Sequence, residues 1–153
     1  MKITDLLRKE YIIETLRAQG KAAVLEEIAM QLDRGTEKIT DQEMVKVLLD
    51  REKLGSTGIG DGIAIPHGKL NGLKEMVVFF GRSREGIEFA AMDGKPVYLF
   101  FMLLAPENST GQHLKVLARI SRMLKDAAFR KKLLEADSVE QIYQIIAEKD
   151  DDS

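Results

Sequence analysis

Apolar positions along the chain switch between a period of two and a period near 3.6, which predicts alternating strands and helices. Tyr11 to Leu16 is a short β-branched stretch ending at Gln19 and Gly20, and Val24, Leu25, Ile28 and Leu32 then recur at helical spacing. Thr40 and Glu43 form a capping-box pair that opens a second helix carrying Met44, Val47 and Leu48, with Arg51 in its last turn and its end near Leu54. Ile63 to Ile65 is a short β-capable run stopped by Pro66, which suits a strand end or edge. Met76 to Phe80 and Val97 to Leu104 are unbroken apolar runs of strand length, the pattern of central strands covered on both faces. Ile87 to Met92 predicts a shorter extended piece before a turn at Asp93 and Gly94. Beyond Pro106, Asn108, Ser109 and Thr110 are candidate N-caps for a helix with Leu114, Leu117, Ala118 and Leu124 on one face and His113 in its first turn. Two more helices are expected, over Ala127 to Glu135 and from the capping pair Ser138 and Gln141 with Ile142, Ile145 and Ile146 inward. The expected architecture is a single α/β domain, a mixed β-sheet sandwiched between helical layers, over residues 1–149, with 150–153 as a solvated tail.

Composition narrows this picture. The chain has 153 residues, 44% of them hydrophobic, which suits one core. Its 23 basic and 25 acidic residues give a formal charge of −2, without the basic stripe a nucleic-acid binder needs. No apolar run reaches the roughly 20 residues of a membrane-spanning helix, and no secretory signal is visible, so a cytoplasmic location without membrane insertion is expected. The absence of cysteine removes disulfides, thiolate metal sites and cysteine nucleophiles.

Six of the twelve glycines fall between Gly55 and Gly72. They lead into Ile63-Ala-Ile-Pro66 rather than into a helix, which excludes a dinucleotide fingerprint, and Gly68-Lys69 lacks both the upstream glycine and the following Ser or Thr of a phosphate loop. Ser56 lacks the surroundings of a nucleophile elbow. His67 and His113 lie 46 positions apart, without any local metal-binding spacing, so a metal-dependent enzyme using both is a distant alternative. Taken singly, His67 can be a turn histidine packed for shape, His113 a surface residue, and Arg51 a charge favoured at a helix C-terminus. Against this, Pro66 stiffens one side of His67, Gly68 admits another backbone on the other, and a neutral imidazole offers a lone pair to phosphorus. A helix N-terminus would keep His113 neutral, and arginine supplies a planar fork for oxyanions. Together these are the parts of a phosphohistidine site.

The run Gly55 to Leu70, GSTGIGDGIAIPHGKL, closely resembles the active-site segment of the mannitol/fructose-type enzyme IIA proteins of the bacterial phosphoenolpyruvate-dependent phosphotransferase system, most of all the nitrogen-regulatory branch. Lys2 to Leu7, Arg51 to Leu54, Ile87 to Val97 and Gln112 to Leu114 are similar in the same order. The resemblance implies that His67 is phosphorylated and that Arg51 and His113 contact the phosphoryl group. The donor it implies is a histidine phosphocarrier protein (HPr-like), and the recipient of the signal a downstream regulatory protein. The alternative is a stand-alone fructose/mannitol-type IIA passing the group to a separate IIB domain for sugar uptake; with no cysteine, no IIB of this class is expected within the chain. Either role is a phosphotransfer component rather than a conventional turnover enzyme, with no cofactor and no metal. Backbone groups at Ser56, Thr57, Gly58 and Gly68 are expected around the phosphoryl group, and Ile63 and Ile65 in a small apolar docking surface.

Overall fold

The longest apolar run forms the middle of the sheet. In the computed structural model, which describes residues 2–33, 35 and 38–152, the elements are β1 (Leu7–Ile13), α1 (Lys21–Ala29), α2 (Asp41–Lys53), β2 (Gly58–Gly60), β3 (Ile63–Ala64), β4 (His67–Leu70), β5 (Val77–Ile87), β6 (Val97–Pro106), α3 (Thr110–Leu124), α4 (Ala127–Glu135) and α5 (Val139–Asp151), after a 3-10 turn at Ile3–Asp5. Every residue of β6 except Tyr98 is buried, as a strand covered on both faces requires. The six-stranded sheet runs β1-β5-β6-β3-β2, with β4 also on β6. β1 is parallel to β5, β5 antiparallel to β6, and both β3 and β4 parallel to β6.

β3 and β4 keep one register against β6, pairing Ile63 with Leu99 and His67 with Leu103. They are separated only by Ile65 and Pro66. Pro66 has no N–H to give, its carbonyl still accepts from Leu103 at 2.9 Å, and the Ile65 N–H turns aside to the Thr57 carbonyl at 3.0 Å. His67 is therefore a strand residue, not a turn residue.

Helices cover both faces. A Cβ on Gly68 would stand 3.1 Å from the Val47 side chain of α2, so α2 lies against that face. Arg82 on β5 reaches the other layer, donating to the Leu133 and Ala136 carbonyls at the end of α4. The capping box at Thr40 and Glu43 is present, with Glu43 N–H donating to Thr40 Oγ1 at 3.1 Å.

Six expectations are corrected. β1 begins at Leu7 and its regular part stops at Ile13; the exposed Arg8, Lys9 and Glu10 mask its start, although Leu16 N–H still donates to the Arg82 carbonyl beside β5. The strand expected over Met76 to Phe80 runs on to Ile87 through the buried Arg82 and Ser83, whose polarity ends the apolar run but not the strand. Ile87 thus closes β5, and the segment after it is irregular. On α3 the inward face is His113, Val116, Ile120, Met123 and Leu124, while Leu114 is 61% exposed. Ser109 is the N-cap, but its hydroxyl donates to the Pro106 carbonyl rather than capping. Finally, Asp150 belongs to α5 and not to a solvated tail: it is buried, accepts from Arg119 Nε at 2.7 Å and from the N–H and hydroxyl of Thr4, and ties the two ends of the chain to α3. Ser153 lies outside the described residues.

Candidate functional site

Strand alternation turns the His67 ring to the face opposite the one where α2 packs on Gly68, and so toward α3. Two contacts fix the ring. Nδ1 is 2.9 Å from the Ile65 carbonyl, and Nε2 is 3.2 Å from Nε of Arg51. Arginine can only donate and a carbonyl can only accept, so both contacts are satisfied by one tautomer, with the proton on Nδ1 and the lone pair on Nε2. Arg51 comes from the last turn of α2 and is steadied by donation from Nη1 to the Gly55 carbonyl at 2.9 Å. His113, in the first turn of α3, sets its ring edge-on to His67 at 5.4 Å between centroids and 84° between planes. It is 6% exposed, and its buried Nε2 has no hydrogen-bond partner.

Electrostatics keeps both rings neutral. Burial, with the Arg51 charge beside it, holds His67 below the ordinary imidazole value against the opposing pull of the Ile65 carbonyl and Glu52. Burial, then His67 and Lys69, lowers His113 to about 4. The arrangement thus sets one neutral nucleophilic nitrogen beside a guanidinium and against a second neutral ring. That set can receive a tetrahedral oxyanion.

The structure brings together His67, Arg51 and His113, to which Ile65 contributes its backbone carbonyl alone, and gives the other expected residues structural work. Ile63 in β3 and Ile65 just after it are 4% and 7% exposed and their side chains belong to the core, so they cannot line a docking surface. The Thr57 N–H donates to Glu52 Oε1 at 3.1 Å and its hydroxyl to Glu52 Oε2. The Gly58 N–H donates to Ser56 Oγ at 3.1 Å. These groups build the loop and leave none of those three donors for a phosphoryl group. Gly68 serves α2, whose Val47 would be crowded by any side chain there. Among the described residues no group of three or more His, Asp or Glu side chains could hold a metal ion.

Glu52 is the residue that reading the sequence missed. Its buried carboxylate holds both Thr57 donors and the Lys21 ammonium at 2.9 Å, directly beneath the loop that steadies Arg51. A carboxylate in the last turn of a helix opposes the macrodipole, and that misplaced charge was the available signal.

Fold and site define an α/β domain whose site pairs two histidines with an arginine, a set whose chemistry suits an oxyanion. The chain belongs to the family described as phosphoenolpyruvate-dependent sugar phosphotransferase system, EIIA 2, whose model matches residues 5–149. It is 44% identical over 147 residues to a nitrogen regulatory protein of Bradyrhizobium diazoefficiens, covering 96% of this chain and 95% of that one. It is 40% identical over 151 residues to the fructose-specific EIIABC component of Bacillus subtilis, covering 98% of this chain but 24% of that longer protein. Among solved structures, the nitrogen regulatory protein IIA-Ntr of Neisseria meningitidis superposes with a TM-score of 0.88 at 38% identity, over 94% of this chain and 98% of that one. The Escherichia coli IIA mannitol enzyme in complex with phosphorylated IIB mannitol gives 0.77 at 25% identity, over 94% and 99%.

Proposed function

We propose that this protein is a histidine phosphocarrier of the phosphotransferase system that accepts a phosphoryl group on Nε2 of His67 from a histidine phosphocarrier protein and regulates partner proteins through its phosphorylation state. The observation that carries this reading is the pair of contacts on the His67 ring: Nδ1–H donates to the Ile65 carbonyl, which leaves the lone pair on Nε2 beside Arg51. Close similarity to nitrogen regulatory proteins over nearly their full length supports the regulatory role. No helix among the described residues is long and apolar enough to cross a membrane, in keeping with a cytoplasmic donor and partners.

The chemistry is an in-line exchange between two imidazoles. The Nε2 lone pair attacks phosphorus while the P–N bond to the carrier breaks, and the electron pair of that bond returns to the carrier's ring. No proton is transferred at Nε2, and Nδ1 keeps its proton on the Ile65 carbonyl. Arg51 must release Nε2 as phosphorus arrives, and its fork then meets the equatorial oxygens where charge accumulates. The unpartnered Nε2 of His113 faces this step as a neutral ring, able to donate to an oxygen when that nitrogen carries the proton.

A second reading, a sugar-specific IIA that hands the group to a separate IIB, is favoured by the match of 98% of the chain to part of a fructose-specific component. Incubation with phosphoenolpyruvate, enzyme I and a phosphocarrier should add one acid-labile phosphoryl group, absent in His67→Ala; a label that survives that substitution overturns the reading. Capture of partners by the phosphorylated and unphosphorylated forms then separates regulation from delivery to a IIB.

A further inference from the structure

A phosphoryl group on an imidazole carries close to two negative charges at neutral pH, by comparison with other protein phosphates. Arg51 offers one positive charge, and His113, lowered to about 4, offers none at that pH. The Lys21 ammonium is engaged with Glu52 at 2.9 Å and does not redress the balance. With Nδ1 still protonated the phosphorylated His67 ring is itself cationic, but its N–H is spent on the Ile65 carbonyl, so among the residues described so far Arg51 alone offers a charged donor to the three oxygens.

We propose that Lys69 is a further phosphoryl-binding residue of this site, its ammonium moving from the Thr110 hydroxyl to an oxygen of the group carried on His67. This rests on the reading of His67 as the phosphorylated residue. Lys69 stands two positions after His67 on β4, so strand alternation puts both side chains on one face, with their Cα atoms about 7 Å apart. Its Nζ donates to Thr110 Oγ1, on the first residue of α3 and three positions before His113. The ammonium thus bridges from β4 to α3, close enough to the ring pair for its charge to be felt by His113. Its partner at rest is a neutral hydroxyl, which an oxyanion outcompetes. Lys69 remains protonated throughout and contributes only N–H donors, so the balance of the exchange is unchanged.

The discriminating quantity is the equilibrium distribution of the phosphoryl group between the carrier and this protein, because contacts made only during docking alter rates but not that distribution. Lys69→Met should shift it toward the carrier by about tenfold, a modest fraction of what a buried oxyanion donor supplies because this group is exposed. Lys69→Arg should bring it back to within about threefold of the unsubstituted protein, since the charge returns. A distribution unchanged in Lys69→Met, or a shift that Lys69→Arg does not restore, overturns the assignment. His67→Ala measured alongside keeps the two ideas apart: a label retained there sinks the reading of His67, whereas normal labelling of His67 with an unmoved equilibrium sinks only Lys69.

Discussion

His113 is where burial and chemistry meet in a single side chain. Its folded value of about 4 lies below the 6.5 of an exposed imidazole, so between these limits the unfolded chain binds the proton more readily. The stability this ring contributes is complete above pH 6.5 and falls as the pH drops toward 4. Urea unfolding should lose about 2 kcal/mol between pH 7 and pH 5 through this group, and His113→Asn should lose that much less over the same interval. Equal pH dependence in both would mean that His113 is not held neutral by the fold. All three residues gathered at the site were legible in the sequence, because the Pro66 and Gly68 flanks mark His67 and the family likeness fixes Arg51 and His113. Ile63 and Ile65 were misplaced for a physical reason: an apolar run beside a reactive residue reads the same whether it faces a partner or the core.

The last turn of α2 divides its work between adjacent residues, Arg51 serving the site and Glu52 the loop beneath it. Thr57 links the two, since its N–H and hydroxyl are both spent on the Glu52 carboxylate while Gly55, two positions earlier, steadies Arg51. Thr57→Val keeps the shape and removes the hydroxyl, which should cost about 1.5–3 kcal/mol of unfolding free energy as a hydrogen bond to a charged group. Phosphoryl acceptance should slow as well, read by quenched transfer under conditions where the variant is fully folded. A destabilised protein that accepts at the normal rate would show that loop and arginine are independent. The capping box made α2 legible in advance, as did the apolar run of β6. β5 was cut short because Arg82 looks like a strand end, although its guanidinium is taken up by the Leu133 and Ala136 carbonyls and the Glu14 carbonyl. α3 was phased by its leucines, yet its inward stripe includes a histidine, which a hydrophobic pattern counts as polar.

The layered mixed sheet could be read from periodicity, but its strand order could not, because pairing partners such as β1 with β5 leave no trace in local pattern. What the assembled molecule adds is exposed apolar surface. Five large apolar side chains are exposed among the described residues, and two of them adjoin site residues in the chain: Leu54 at 85%, three positions after Arg51, and Leu114 at 61%, next to His113; Ile59 at 44% and Met92 at 76% lie on segments joined to each other where the Met92 N–H meets the Gly58 carbonyl. The fifth, Leu134, is on α4. A docking surface for a transient donor needs exposed apolar area that excludes water around the reacting atoms, and Leu54 and Leu114 are exposed beside Arg51 and His113 in the chain where the core residues Ile63 and Ile65 are not. Leu54→Asp combined with Leu114→Asp touches neither the histidines nor Arg51. The phosphocarrier concentration giving half-maximal transfer should rise by about tenfold, while the limiting rate and the final phosphoryl distribution stay as they were, because the substitutions weaken encounter and leave the chemistry intact. A concentration dependence unchanged by both charges would move the docking surface off these two leucines, and a lowered limiting rate at unchanged half-saturation would place them in the transfer step instead.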